Sequence, residues 1–164
     1  NFLKIGVTGD THNNSKNINT ICEIFNDEKV DLVIHTGDIS LPKSLDLFKN
    51  LDCKLVGVFG NNDQGDLEDL LKVCDHYGFD FCNGYRKLEF KGRSIFIIHD
   101  PKDIKDEFYG DGNIIVHGHT HRFRDEIIKG TFFFNPGECA GIMKGRNNIG
   151  IIYLESPRMK ILNF

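Results

Sequence analysis

Five short apolar runs in this sequence each lead into a residue able to bind a metal. "FLKIGV" leads to Asp10 and His12, and "VDLVI" to "HTGD", which ends in Asp38. "KLVGVF" leads to "GNND", with Asn61, Asn62 and Asp63. "SIFII" leads to His99 and Asp100, and "NIIV" to "HGHTH", with His117, His119 and His121. Near-continuous apolar runs of this length read as strands covered on both faces. In open α/β sheets, ligands gather in the crevice beyond the carboxyl ends of such strands. If the runs lie side by side, Asp10, His12, Asp38, Asn61, His99, His119 and His121 all face one crevice. Seven oxygen and nitrogen donors exceed what one tetrahedral ion takes, and suit two ions of higher coordination sharing a carboxylate. Gly9, Gly37, Gly60 and Gly118 each precede a candidate ligand, where a sharp turn would aim the next side chain inward. Alternation along extended backbone would set Asp10 with His12 on one side, and His119 with His121 likewise.

The remaining pattern places these strands in a fold. Ile18, Ile21, Cys22 and Phe25 recur at helical spacing, and "SLPKSLDLFKN" suits a second helix with Ser40 as N-cap and Pro42 in its first turn. Asp66 would cap a third helix with a face of Leu67, Leu70, Leu71 and Cys74. The second half reads as hairpins turning at Lys91-Gly92, Lys129-Gly130 and Ser156-Pro157, and helical periodicity fades past residue 100. The expectation is an α/β fold spanning residues 1–164 as one domain: a parallel αβ half and an antiparallel half forming two packed sheets with outer helices.

The composition narrows the function. The net charge of −4 argues against broad nucleic-acid or anionic-membrane binding, and no apolar run approaches the length of a membrane span. No basic flank followed by a long apolar segment opens the sequence, which points to a cytoplasmic protein. Cys22, Cys53, Cys74, Cys82 and Cys139 form no CxxC pair and read as small buried hydrophobes.

"GDTH", "TGD", "GNND", "IIH" and "GHTH" resemble, in order, the DxH, GD, GNxD, H and GHxH motifs of the calcineurin-like metallophosphoesterases. "NPGE" at 135–138 resembles an element of their small prokaryotic, YfcE-type phosphodiesterase branch. The resemblance implies a four-layer αββα sandwich of two mixed sheets, with Asp10, His12 and His121 on one metal, Asn61, His99 and His119 on the other, and Asp38 bridging. It implies two divalent ions per chain, Mn foremost with Ni, Zn or Fe as alternatives, and a metal-bridging hydroxide attacking a small phosphodiester, with Asp38, Asn61 and His99 closest to the chemistry. A homodimer is compatible with a protein of this size. The alternatives are a phosphomonoesterase or nucleotidase, and a non-catalytic interaction scaffold like the retromer subunit of the same fold.

Two departures stand out. Many relatives carry a histidine, placed to protonate the leaving group, where this chain has Asn62. Asp100-Pro101 follows His99 where the family usually has glycine, so Asp100 would either repel phosphate or hydrogen-bond a ligand histidine. Other polar residues fit structural roles. Asp63 reads as a hydrogen-bonder, His35 and His117 as packed histidines, His76 as an exposed helix end, and Asn135-Pro136-Gly137 as a rigid turn. "TFFFN" reads as a strand buried on both faces. Only Arg122 and Arg124 lie near the motifs.

Overall fold

A computed structural model describes residues 3–164. In chain order the regular elements are β1 (Lys4–Thr8), α1 (Ser15–Glu28), β2 (Leu32–His35), α2 (Pro42–Asp46), β3 (Lys54–Val58), α3 (Leu67–Tyr77) and β4 (Asp80–Cys82). Then follow β5 (Tyr85–Phe90), β6 (Arg93–Ile98), β7 (Ile114–His117), β8 (Arg124–Ile128), β9 (Thr131–Asn135), β10 (Asn148–Tyr153) and β11 (Arg158–Asn163). Residues 1 and 2, the second of which opens the first apolar run, lie outside the described residues.

Two mixed sheets form, flanked by helices as expected. The first runs β11-β10-β1-β2-β3-β4 and the second β5-β6-β7-β9-β8. The division between them differs from a simple parallel half and antiparallel half. The β10–β11 hairpin pairs antiparallel with β1 and completes the first sheet, while β6, β7 and β9 run parallel inside the second. The reason is burial. β10 is apolar on both faces, and beside β1 it gains cover on each: Ile149 and Ile151 lie in the helix-side core and Ile152 in the core between the sheets.

Alternation assigns each strand residue to a layer. Ile5, Val7, Ile34, Val56 and Val58 of the first sheet meet Ile95, Ile97, Ile114, Val116 and Phe134 of the second. The opposite face of the first sheet packs under α1 and α3 through Ile18, Ile21, Phe25, Leu70 and Cys74. Leu71, expected on that buried face, is exposed. The outer face of the second sheet has a thinner cover. Two 3-10 turns, Pro101–Asp103 and Asp106–Phe108, lay Phe108 onto Phe96, with ring centroids 4.4 Å apart. Phe133 and Phe134 are fully buried on opposite faces of β9, as "TFFFN" suggested.

Local chemistry accounts for the connections. Asn14 caps α1 through its side chain, accepting from the Asn17 amide. Ser40 does not cap α2: Leu41 holds the N-cap position without a side-chain bond, and Pro42 begins the helix. Asp66 occupies the N-cap of α3 but makes no capping bond. The Lys91-Gly92 and Lys129-Gly130 hairpins have both residues at positive φ (53° and 77°, 48° and 81°), the combination that matches strand twist. All five cysteines are free, and burial pushes the thiols of Cys22, Cys74 and Cys139 up to about 12.

Candidate metal centre

The carboxyl ends of β1, β2, β3, β6 and β7 bring all seven predicted residues to one edge of the sandwich. They fall into two groups. Asp10, His12 and His121 offer ligand atoms within 4.8 Å of one another, as do Asp38, His99 and His119. Asn61 joins the second group, its Oδ1 lying 3.0 Å from His99 Nε2. The two groups touch where the His119 amide donates to Asp10 Oδ2 at 3.0 Å.

The backbone reaches this arrangement by a different route from the one expected. Asp10, His12, Asp38, Ser40, His119 and His121 themselves take positive φ, between 47° and 76°. These segments are therefore not extended, and His119 and His121 part into different groups instead of sharing a side. Of the four glycines before ligands, only Gly37 has positive φ, 107°. The others are required for close approach. A Cβ on Gly9 would overlap Thr36 Oγ1, one on Gly60 would overlap Asp38 Oδ1, and one on Gly118 would sit 2.7 Å from Asp10 Oδ2.

Asp63 fixes the Asp38 loop. Its carboxylate accepts the amides of Asp38 (2.9 Å), Ile39 (2.8 Å), Ser40 (2.7 Å) and Gly60 (2.7 Å), four donors into one fully buried group. His35 fixes the other side. Its Nδ1 accepts from the Gly37 amide at 3.0 Å, so Nε2 carries the proton and donates to Thr11 Oγ1 at 2.9 Å. One neutral ring thus ties the Asp10–His12 loop to the Asp38 loop. Burial lowers its pKa to about 3.

Three of the candidate histidines, His99, His121 and His12, are hydrogen-bonded through a ring nitrogen in a way that orients the ring. His99 Nδ1 donates to the Thr36 carbonyl at 2.8 Å, which turns Nε2 toward Asp38 Oδ2 at 3.3 Å. His121 Nδ1 donates to Glu138 Oε2 at 2.7 Å, which turns its Nε2 toward Asp10 Oδ1 at 3.6 Å. His119 Nε2 faces Asp100 Oδ2 at 3.6 Å, and His12 Nδ1 lies 3.3 Å from Ser40 Oγ. Glu138 and Ser40 thus meet the candidate ligands, a role that the local sequence pattern does not assign them. The signal for Glu138 was the last letter of "NPGE". The signal for Ser40, a left-handed serine, exists only in three dimensions. Asn135 supports the same edge, donating to Thr120 Oγ1 at 3.2 Å and accepting from the Gly137 amide at 3.0 Å.

The electrostatics fit a cation. Asp10 Oδ1 is buried and has no hydrogen-bond donor, an arrangement that is costly unless a positive charge satisfies it. Burial raises the Asp10 pKa, the Coulombic pull of His99 and His121 notwithstanding. Burial also pushes Asp38 upward, but hydrogen bonds from His99 and Asn62 outweigh it and hold the group well below the usual carboxylate range. Carboxylate, imidazole and amide oxygens without thiolate suit divalent ions such as Mn, Fe, Ni and Zn. Asn62 faces Asp38, its backbone N–H and side-chain amide both donating to the carboxylate at 2.9 and 3.0 Å. His117 is buried and bonded to Arg124 at 3.0 Å, and the Arg124 guanidinium stacks on Phe133. His117 and Arg124 are thus engaged with one another. His76 is exposed at the end of α3, as expected.

Two mixed sheets flanked by helices, with carboxylate–imidazole groups collected at the strand ends, define a metallophosphoesterase architecture. The chain belongs to the calcineurin-like phosphoesterase superfamily, whose domain matches residues 3–156, and it is a phosphoesterase of that class. It is 34% identical to phosphodiesterase MJ0936 of Methanocaldococcus jannaschii, with 96% of this chain and 97% of the relative covered. A solved structure described as a novel archaeal phosphodiesterase superposes with a TM-score of 0.87 at 30% identity, covering 99% of this chain and 100% of that one. The fold is shared with YfcE, a phosphoesterase from E. coli, at a TM-score of 0.74 and 19% identity, covering 98% of this chain and 99% of that one.

Proposed function

We propose that the protein is a phosphodiesterase that works with two divalent ions and acts on small phosphodiesters. In this reading Asp10, His12 and His121 hold one ion, Asn61, His99 and His119 hold the other, and Asp38 is shared. Mn is the foremost candidate, with Ni, Zn or Fe as alternatives. The observation that carries the reading is the pair of ligand groups in contact through Asp10 Oδ2 and the His119 amide, with the buried Asp10 Oδ1 left without a hydrogen bond inside the first group. When bound, the ions supply Lewis acidity and a hydroxide nucleophile near neutral pH.

The chain's own part is positioning. Glu138 and the Thr36 carbonyl fix two of the imidazoles, Asp100 faces a third, and Asp63 fixes the Asp38 loop. Three features favour diesters. The relative at 34% identity is named a phosphodiesterase. Asn62 cannot act as a general acid, which favours substrates with good leaving groups. Arg124, which could otherwise help bind a monoester dianion, is occupied by His117, Glu126 and Phe133.

The test uses metal-stripped protein, an aryl phosphodiester and its monoester analogue, with Mn, Ni, Zn or Fe(II) added in turn. The expected result is metal-restored diester turnover well above monoester turnover, lost together with one or both bound ions in Asp38→Ala. Unchanged hydrolysis in Asp38→Ala would refute the ligand assignment.

A further inference from the structure

A cleft of about 300 Å3 opens directly beside the second ligand group, with Asn61 and His99 at its head. Its apolar floor is Phe59 and Ile98. One wall is a pair of amides. Gln64 Nε2 donates to Asn83 Oδ1 and to the Gly60 carbonyl, both at 3.0 Å, and Asn83 Nδ2 faces Gln64 Oε1 at 3.4 Å. These bonds tie the loop after β3 to the turn before β5, so the wall is held in place. The facing wall carries Asp100 and Asp103 from one 3-10 turn. Asp100 Oδ1 is used by the Lys102 amide at 2.9 Å, while its Oδ2 stays on the side of His119. No lysine or arginine is among the residues lining the cleft, and nearby Lys105 lies over the Tyr85 ring instead.

The cleft begins at Asn61 and His99, so a phosphate held there has room to extend one ester arm along it. We infer that the cleft is the subsite for that arm and selects a cationic or hydroxylated alcohol over an anionic one. The inference rests on the phosphodiesterase reading and adds to it the chemistry of the arm. The amide oxygens and the two carboxylates accept hydrogen bonds or attract positive charge, and no lysine or arginine lines the cleft to neutralise a second anion. An arm ending in carboxylate or phosphate meets like charge from Asp100 and Asp103. An arm of choline or glycerol type meets complementary groups over an apolar floor. The same charge pattern works against monoester dianions, in line with the diester preference.

The experiment uses the whole chain loaded with the most active metal, and p-nitrophenyl phosphodiesters that differ only in the retained arm: choline, glyceryl, methyl or carboxyethyl. The proposal expects kcat/KM for the choline and glyceryl esters to exceed that for the carboxyethyl ester by about tenfold or more. Asp103 is exposed, and a partly solvated charge contributes up to about 1 kcal/mol, or about fivefold. Asp103→Asn should therefore shrink the choline-to-carboxyethyl ratio by about fivefold, and Asp103→Lys should move it further toward the carboxyethyl ester. A readout independent of turnover is the amide spectrum of the Zn-loaded protein on adding methyl(3-trimethylammoniopropyl)phosphinate, in which both ester linkages are replaced by P–C bonds, with shifts expected at Asn83 and Gly84. If the methyl ester is hydrolysed but arm charge has no effect, or if the shifts fall outside the cleft instead, the subsite is overturned and the diesterase reading stands. If no diester is hydrolysed, the methyl ester included, the diesterase reading fails and the inference falls with it.

Discussion

Glu138→Gln should weaken one metal site and spare the other. In the parent, Glu138 Oε2 accepts from His121 Nδ1 at 2.7 Å while Oε1 accepts from the Ala140 amide at 2.7 Å. Glutamine offers one acceptor oxygen to two fixed donors, so either the loop bond to Ala140 or the bond to His121 is lost. In the second case the amide N–H faces the ring N–H, and His121 must rotate or change tautomer, which takes Nε2 off its line to Asp10. A charge-assisted hydrogen bond is worth about 1.5–3 kcal/mol. Both side chains here are 35% exposed, so the lower end applies, about 1.5 kcal/mol or tenfold in affinity. The assay is a competition titration of the metal-free protein against a chromophoric chelator, fitted to two binding steps. The expected result is a roughly tenfold loss in one step with the other within about threefold. Both steps unchanged would refute the argument that Glu138 orients a ligand, and equal loss in both would refute the division into two groups.

Asp63→Asn leaves one acceptor oxygen for four buried amides, and each unsatisfied donor costs about 1–3 kcal/mol. Urea unfolding should show a loss of about 3 kcal/mol or more, accompanied by loss of turnover. Phe108→Ala removes the ring that covers the outer face of the second sheet and should cost about 3–5 kcal/mol in the same assay, with metal titrations of the folded protein unchanged. His35 titrates at about 3 in the folded chain and near 6.5 when unfolded, so below 6.5 the unfolded state binds a proton that the native state does not. Its contribution is complete above pH 6.5 and falls as pH drops toward 3. In chelator, the parent should lose about 1.4 kcal/mol per pH unit more steeply than His35→Gln between about pH 6 and pH 4. Parallel slopes would refute the assignment of His35 as a buried neutral ring.

The fold and the gathering of the candidate ligands at one sheet edge were legible because both depend on local pattern. Near-continuous apolar strands had to be interior, and whatever followed them had to emerge at one sheet edge. The supporting residues were less legible because they act across long separations. Glu138 meets His121 from 17 positions away, and Asp63 collects amides from a loop 23 to 25 residues upstream. The Ser40 error has the same origin. A serine before Leu-Pro matches a helix start locally, but the pull of Asp63 on the Ser40 amide holds the chain in a left-handed turn one residue too early. The second sheet's parallel core was hidden because hairpin turns dominate its sequence, while the β6–β7–β9 pairing depends on long crossovers that no turn signal marks.

The strain in these loops explains why the support is so extensive. Nine non-glycine residues among those described have positive φ, and six of them are Asp10, His12, Asp38, Ser40, His119 and His121. The other three are a helix C-cap, Lys29, and the two hairpin lysines, where such geometry is ordinary. A left-handed L-residue costs about 1–2 kcal/mol, and glycine would remove that cost at any of these positions. Glycine carries no ligand, however, so ligand positions must bear the conformation themselves and the compensation must come from elsewhere. Asp63 supplies four hydrogen bonds to it, His35 supplies two, and the side-chain-free Gly9, Gly60 and Gly118 let the loops close against one another. The neighbouring glycines and the buried Asp63 are thus as much a consequence of the ligand geometry as the ligands are of the chemistry. The positions where a strand must turn sharply and also present a functional side chain are the ones whose surroundings are most constrained.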